Sequence, residues 1–150
     1  MIQRVREASV TAVDDAGVAR ETGRIGQGLV ALVGFSPDDG DEALGWMARK
    51  LAELRLFEAE KGPSGFDRSL RETGRGLLVI SQFTLYGDAR KGRRPDFTAA
   101  APYDRAGELY RRFCDLCEAE LPGRVARGEF GARMAVALVN DGPVTILLDR

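Results

Sequence analysis

The chain has 150 residues, 44% hydrophobic and 30% charged, a composition that predicts one compact domain over residues 1–150. Its 22 basic and 23 acidic residues nearly cancel, which excludes a nucleic-acid coat over the whole surface. The chain contains no histidine, and this excludes Ser-His-Asp and Cys-His triads, histidine metal sites and the commonest general base.

The N-terminal stretch carries charges where a signal peptide needs an apolar segment. The longest apolar run, residues 28–35, is far shorter than the roughly 18 residues that a membrane helix requires. We therefore expect a cytoplasmic protein with no membrane partner.

The first half of the chain predicts three strands and one helix. Residues 2–13 alternate loosely, and after an Asp-Asp-Ala-Gly turn residues 18–25 can return as a hairpin partner. Residues 28–35 are continuously apolar, which is typical of a central strand. Apolar residues at helical spacing predict a helix over residues 41–55, with Asp41 as its cap.

The second half continues this mixture of strands and helices, with one ambiguous stretch over residues 125–130. The pattern predicts strands over residues 54–59, 76–86, 134–139 and 144–148, a loop over 61–65 and a helix over 102–121. The strands come in hairpin-like groups. The expected fold is therefore a single α+β domain, with a mixed, mainly antiparallel sheet or partly closed barrel and two main helices.

Residues 76–86 contain an abrupt change from apolar to polar side chains. Residues 77–80 are branched and apolar, but Ser81, Gln82 and Thr84 then place hydroxyls and a carboxamide where the core pattern would continue. If the strand continues, its period of two puts Gln82, Thr84 and Tyr86 on one face, which could form the floor of a small-molecule site. The alternative is an ordinary strand with a polar outer face.

A basic loop follows this strand. Arg90, Lys91, Arg93 and Arg94 stand against Asp88, so residues 87–95 carry four positive charges and one negative charge, a net +3. A local cationic loop on a neutral protein indicates a phosphate-bearing ligand beside the strand. The alternative is a solvated turn that binds nothing.

The only cysteines, Cys114 and Cys117, form a Cys-x-x-Cys pair. No second pair and no histidine exists to complete a zinc site, and the pair lies inside a helical pattern rather than at its start. We therefore interpret both as small apolar residues packed against the core.

Four segments in this order give the chain a specific resemblance from end to end. They are residues 1–5 (MIQRV), 81–86 (SQFTLY), 91–95 (KGRRP) and 140–145 (NDGPVT). With them the chain resembles D-aminoacyl-tRNA deacylase. These enzymes remove D-amino acids, and sometimes glycine, wrongly esterified to the 3′-terminal adenosine of tRNA, and they are homodimers that need no cofactor and no metal.

The resemblance implies roles for three sets of residues. Ser81, Gln82, Phe83 and Thr84 would form the catalytic pocket floor, with the backbone amides of Phe83 and Thr84 facing the scissile ester. The substrate-binding set would be Gly142, Pro143, Met134 and Asn140, and the tRNA-binding set Arg90, Lys91, Arg93 and Arg94. Gly142–Pro143 is similar to the family's cis dipeptide, which reaches into the partner subunit's pocket and reads chirality.

The implied partner is tRNA rather than DNA, which gives the basic loop a phosphate-bearing ligand. Two positions depart from the family pattern, because the family often has Asn in place of Asp67 and Ala in place of Gly87. Both lie outside the two defining segments, so they bear on loop contacts more than on activity.

The sequence leaves both the mechanism and the function with alternatives. Thr84 is the obvious nucleophile, but nothing near it in sequence could take its proton. In the family the terminal ribose 2′-hydroxyl of the tRNA assists, and an activated ester with an oxyanion site needs no histidine. The competing function is a non-catalytic module that binds the tRNA 3′ end, and a Cys114/Cys117 redox protein ranks last.

Overall fold

The computed structural model describes residues 1–59 and 65–150, which contain six strands, three α-helices and one 3-10 helix. Residues 61–64 of the predicted loop lie outside the described residues. In chain order the elements are β1 Ile2–Val13, β2 Ala19–Ile25, β3 Gly28–Val33, α1 Asp41–Glu53, α2 Leu70–Thr73, β4 Gly76–Ser81, the 3-10 helix Phe83–Tyr86, α3 Tyr103–Glu120, β5 Val125–Arg127 and β6 Arg133–Ile146.

The six strands form one mixed sheet in the order β2-β1-β3-β4-β5, with β6 also paired to β1. β1 is antiparallel to β2, β3 and β6, while β3–β4 and β4–β5 are parallel. β2 packs closely against β5, since a Cβ added at Gly23 on β2 would lie 2.9 Å from the carbonyl oxygen of Arg127 on β5. The predicted fold, a mainly antiparallel and partly closed barrel in an α+β domain, is confirmed.

The parallel strand β4 separates two hydrophobic clusters because its side chains alternate between faces. Leu77 and Val79 pack with the helices, whereas Leu78 and Ile80 fill the inside of the barrel. All four are at most 1% exposed. Burial of this kind contributes about 1.5–3 kcal/mol for each such side chain, so the position of β4 is firmly fixed.

Helices α1 and α3 cover the outer face of β3 and β4. The predicted helix over residues 102–121 is confirmed, and its apolar stripe is buried. Cys114 and Cys117 lie in that stripe, free and at most 1% exposed, and burial raises the pKa of the Cys114 thiol to about 11. Their interpretation as packing residues is confirmed, because a thiol of this kind is protonated at neutral pH.

Four predicted strands differ from the structure. The strand predicted over 76–86 ends at Ser81, and the strand predicted over 54–59 is only an isolated bridge between Phe57 and Arg68. The two strands predicted at 134–139 and 144–148 are one strand, β6, because the Asn-Asp-Gly-Pro segment is absorbed as an irregularity in its pairing with β1.

Two local features of the helices also differ. Asp41 does not cap α1; it is the first helical residue, after Gly40, and its carboxylate pairs with Arg112 at 3.0 Å. Ser69 and Glu72 form a capping box that starts the unpredicted helix α2. Across the described ranges, no helix is long and apolar enough to cross a membrane.

Candidate active site

The polar segment after β4 is a tight turn rather than a continued strand. The amide of Gln82 still donates to the carbonyl of Val33 at 2.8 Å, which ends the pairing with β3. The chain then forms the 3-10 helix Phe83–Tyr86, closed by a hydrogen bond from the Gly87 amide to the Thr84 carbonyl at 3.0 Å. We call residues 81–84 the catalytic turn, after the role that the resemblance implies for them.

The predicted face of Gln82, Thr84 and Tyr86 is therefore wrong, since a 3-10 helix has three residues per turn and not two. The Tyr86 ring folds back onto Gly34 at the end of β3, where an added Cβ would lie 3.0 Å from it. Gln82 and Thr84 do meet, because the Gln82 carboxamide donates to the Thr84 hydroxyl.

The amides of Phe83 and Thr84 are available to a ligand. Neither N–H donates to any acceptor among residues 1–59 and 65–150, as is usual in the first turn of a helix. Thr84 is exposed, and the only hydrogen-bond partner of its hydroxyl in the described ranges is Gln82. The turn thus offers two backbone donors and a hydroxyl but no group able to act as a base.

Phe97 connects the catalytic turn to the basic loop. Its ring makes an edge contact with Phe83, with centroids 5.1 Å apart, and a Cβ added at Gly87 would lie 2.8 Å from it. Glycine at position 87, one of the two departures from the family pattern, is what allows this approach.

The basic loop is a hairpin with a fixed base. The Asp88 and Asp96 backbones exchange hydrogen bonds of 2.7 and 2.9 Å. Arg90 donates two side-chain hydrogen bonds to Asp88, at 2.9 and 2.6 Å, and these hold the pKa of the Asp88 carboxyl below its usual range.

The three remaining cations of the basic loop, Lys91, Arg93 and Arg94, are exposed and make no hydrogen bond or ion pair within the described part of the chain. Four cations were predicted to bind phosphate. The structure divides them into Arg90, which is bound to Asp88, and three that have no partner among the described residues.

Met134 lies near the end of β4 in the same chain. Its sulfur packs on Gly128, where an added Cβ would lie 2.8 Å from it and 3.8 Å from Ile80. Gly128 extends β5 along β4, since its amide donates to the Val79 carbonyl at 2.9 Å. The structure therefore brings Met134 together with the end of β4.

Asn140, Gly142 and Pro143 are exposed on β6, at a bulge opposite Arg4. The ladder passes from Gln3–Thr145 to Val5–Asn140, so residues 141–144 face Arg4 alone. The Gly142–Pro143 bond is cis, as the resemblance implied. Counted along the curved sheet, the path from there to Ser81 crosses three strand spacings, about 14 Å, and runs about 13 Å along the strands. The structure does not bring the dipeptide to the catalytic turn of its own chain.

Arg4 fixes this bulge, and the sequence interpretation missed it. Its side chain is buried and donates to the carbonyls of Leu56 at 2.6 Å and Asp141 at 3.2 Å, with the Asp141 carboxylate at 3.3 Å. The available signal was a cation two residues after Ile2, on the core-facing side of a strand, where charged residues are rare unless paired.

The comparisons with known proteins identify the family of the chain. The sequence profile described as D-Tyr-tRNA(Tyr) deacylase matches residues 1–149. The chain belongs to the D-Tyr-tRNA(Tyr) deacylase family. Membership confirms both the resemblance and the predicted enzyme class, a hydrolase of the D-aminoacyl-tRNA deacylase kind.

Individual members of the D-Tyr-tRNA(Tyr) deacylase family and one solved structure are similar over nearly the whole chain. The D-aminoacyl-tRNA deacylases of Chlorobaculum parvum and Stenotrophomonas maltophilia are 50% and 52% identical, covering 99% of this chain and 95% and 97% of theirs. The solved structure of a c-Myc DNA unwinding element binding protein has a TM-score of 0.89 at 38% identity, covering 99% of this chain and 96% of its own.

Proposed function

We propose that this chain hydrolyses the ester between a D-amino acid and the 3′-terminal adenosine of tRNA, releasing free D-amino acid and tRNA. The observation that carries the proposal is the catalytic turn at the end of a rigid buried strand, where the amides of Phe83 and Thr84 have no acceptor in the described part of the chain. Preorganised donors of this kind stabilise the oxyanion of a tetrahedral intermediate and cost no reorganisation during the reaction.

The reaction needs no protein base in this arrangement. Water adds to the ester carbonyl, and the negative charge that develops on its oxygen is bound by the two amides. The carbon–O3′ bond then breaks, and a proton from the attacking water reaches O3′ through the adjacent ribose 2′-hydroxyl. Family membership gives this scheme more support than a non-catalytic module that only binds the tRNA 3′ end.

We further propose that Gly142–Pro143 rejects L-amino acids in the pocket of a neighbouring subunit. Its distance from the catalytic turn of its own chain supports action in trans, and Arg4 holds it rigidly enough to exclude a side chain by clash. A filter that works by clash cannot exclude glycine, which has no side chain, so glycyl-tRNA mischarged on tRNA(Ala) should also be hydrolysed.

The proposed reaction is tested with matched D- and L-tyrosyl-tRNA. We expect the D-form to be hydrolysed at least about 100-fold faster, because a clash worth about 3 kcal/mol corresponds to that ratio. Glycyl-tRNA should be turned over as well. Equal rates on the two tyrosyl forms, or no turnover of either at micromolar enzyme, would refute the proposal, and binding without turnover would favour the non-catalytic module.

The free cations of the basic loop are expected to contact tRNA phosphates. Neutralising Lys91, Arg93 and Arg94 together should weaken tRNA binding and its dependence on salt. The slope of the log binding constant against log salt is negative, and its magnitude should fall by roughly 0.7–0.9 for each phosphate that is no longer neutralised. Arg90→Gln is the matched control and should change the slope less, because the Arg90 guanidinium already donates to Asp88. An unchanged slope for the triple variant would mean that the loop is a solvated turn that binds no phosphate.

A homodimer is the assembly that this proposal requires. β6 pairs only with β1 in the described part of the chain, and Val139 on this edge strand is 46% exposed. An open edge with apolar side chains pairs readily with a second copy. Sedimentation should give a dimer, and Val139→Lys should shift it toward monomer and reduce D-selectivity. A fully selective monomer would place the filter elsewhere.

A further inference from the structure

An aromatic ring beside the Gly142–Pro143 bulge has no role in the reaction described above. Phe66 is 55% exposed, although its side chain is large and apolar. The guanidinium carbon of Arg4 lies over this ring, 5.8 Å from its centroid, which is within the range of a cation–π contact. Arg4 itself is only 7% exposed. Phe66 therefore stands at the surface while its ring covers a buried cation.

The ring and the bulge contact the same side chain. Nη1 of Arg4 donates to the Leu56 carbonyl and Nε to the Asp141 carbonyl, at 2.6 and 3.2 Å. Nη2 lies 3.3 Å from the Cβ position of Gly142. The N–H groups of a planar guanidinium point outward in its plane, so these contacts occupy its edge and leave its face for an aromatic ring. Phe66 takes that face.

The backbone that carries Phe66 is fixed. The amides of the next two residues both donate to the Phe57 carbonyl at 2.9 Å, and the Leu56 amide donates to the Arg68 carbonyl at 3.1 Å. Leu56 is also the residue whose carbonyl accepts from Arg4. The same short bridge therefore fixes both the ring and one of the acceptors that hold Arg4.

We propose that Phe66 is a positioning residue for chirality: by covering the Arg4 guanidinium, it keeps the cation on Asp141 and so holds the Gly142–Pro143 bulge in place. A hydrogen bond from a cation is electrostatically stronger where water is excluded. The ring supplies that exclusion and an attractive contact of its own. The inference rests on the proposed function and deepens it, because it adds a residue to the part that rejects L-amino acids.

The test measures hydrolysis of L-tyrosyl-tRNA against that of D-tyrosyl-tRNA. Phe66→Leu keeps an apolar side chain but removes the aromatic face. It should raise the L rate relative to the D rate by about fivefold or more, the equivalent of about 1 kcal/mol. The D rate itself should stay within about twofold, because no group of the catalytic turn is changed. Phe66→Tyr keeps the face and should match the unmodified enzyme. An unchanged ratio for Phe66→Leu, or an equal rise for Phe66→Tyr, would overturn the role of the ring.

Trp46→Leu is the matched control. Its ring also carries a cation, the Arg150 guanidinium at 5.4 Å, but it lies on α1 and makes no contact with Arg4. The ratio of L to D rates should therefore stay unchanged in this variant. A rise equal to that of Phe66→Leu would mean that losing any such contact disturbs selectivity, and it would refute the specific role of Phe66.

A measurement without substrate separates this inference from the proposed function. If the unmodified enzyme cleaves neither ester, the proposed function fails, and thermal unfolding still tests whether the ring acts on Arg4. Phe66→Leu should lower Tm by about 2–5 °C in the unmodified chain, but by less than about 1 °C in the Arg4→Met background, since methionine carries no charge. Equal losses in both backgrounds would show that the ring does not act through Arg4 and would refute the inference.

Discussion

Hydrolysis of D-tyrosyl-tRNA is expected to slow by about 100-fold or more when the terminal ribose lacks its 2′-hydroxyl, whereas Thr84→Ala should cost less than about tenfold. The reason is the composition of the catalytic turn. The Thr84 hydroxyl meets only the Gln82 carboxamide within the described ranges, and the chain has no histidine to take its proton. A positioned group that relays a proton contributes about 10²–10⁴ in rate, and here only the substrate supplies one.

Single-turnover rates with the 2′-deoxy and ordinary substrates measure this effect, and Gln82→Ala serves as a control for disturbance of the turn. Because the proposed function uses the backbone amides of Phe83 and Thr84, side-chain truncation at either position should affect substrate fit more than chemistry. An inactive Thr84→Ala enzyme together with an active 2′-deoxy substrate would restore threonine as the nucleophile.

Arg4→Ala is expected to lower the free energy of unfolding by about 2–5 kcal/mol, or about 5–15 °C in Tm for a domain of this size. The substitution leaves the carbonyl of Leu56 and the backbone and carboxylate of Asp141 without their buried cation. Under the proposed function it should also loosen the Gly142–Pro143 bulge, so that L-tyrosyl-tRNA begins to be hydrolysed.

Arg6→Ala is the matched control for this prediction. Arg6 approaches the same Asp141 carboxylate at 3.5 Å, but its side chain is 71% exposed, and exposed ion pairs contribute about 0–1 kcal/mol. Thermal unfolding of the two variants compares them directly. Equal losses of stability for Arg4→Ala and Arg6→Ala would mean that the buried hydrogen bonds of Arg4 do not hold the bulge.

Much of the fold was predictable because its signals are local. The hairpin of β1 and β2 follows from alternation and turn residues, and α3 follows from its long apolar stripe. The capping box of Ser69 and Glu72 was equally local and marks α2, although the interpretation of the sequence passed over it.

The errors arose where distant contacts override local preference. The Asn-Asp-Gly-Pro segment has strong turn chemistry, yet β1 pairs with β6 on both sides of it, and the ladder keeps the two halves in one strand. The end of β4 likewise depends on a hydrogen bond to Val33, a partner that no periodicity reveals. Residues 81–84 stand out in the sequence as a polar segment, but the 3-10 helix that begins at Phe83 was not predictable.

The distance between the Gly142–Pro143 bulge and the catalytic turn has a genetic consequence. If each pocket takes its turn from one chain and its chirality filter from the other, two defective alleles can complement one another. A dimer of one chain damaged at residues 81–84 and one damaged at Gly142–Pro143 contains one pocket in which both parts are defective. Its other pocket has both parts intact. Coexpression of two inactive or unselective proteins would then restore selective hydrolysis to half of the sites in each mixed dimer.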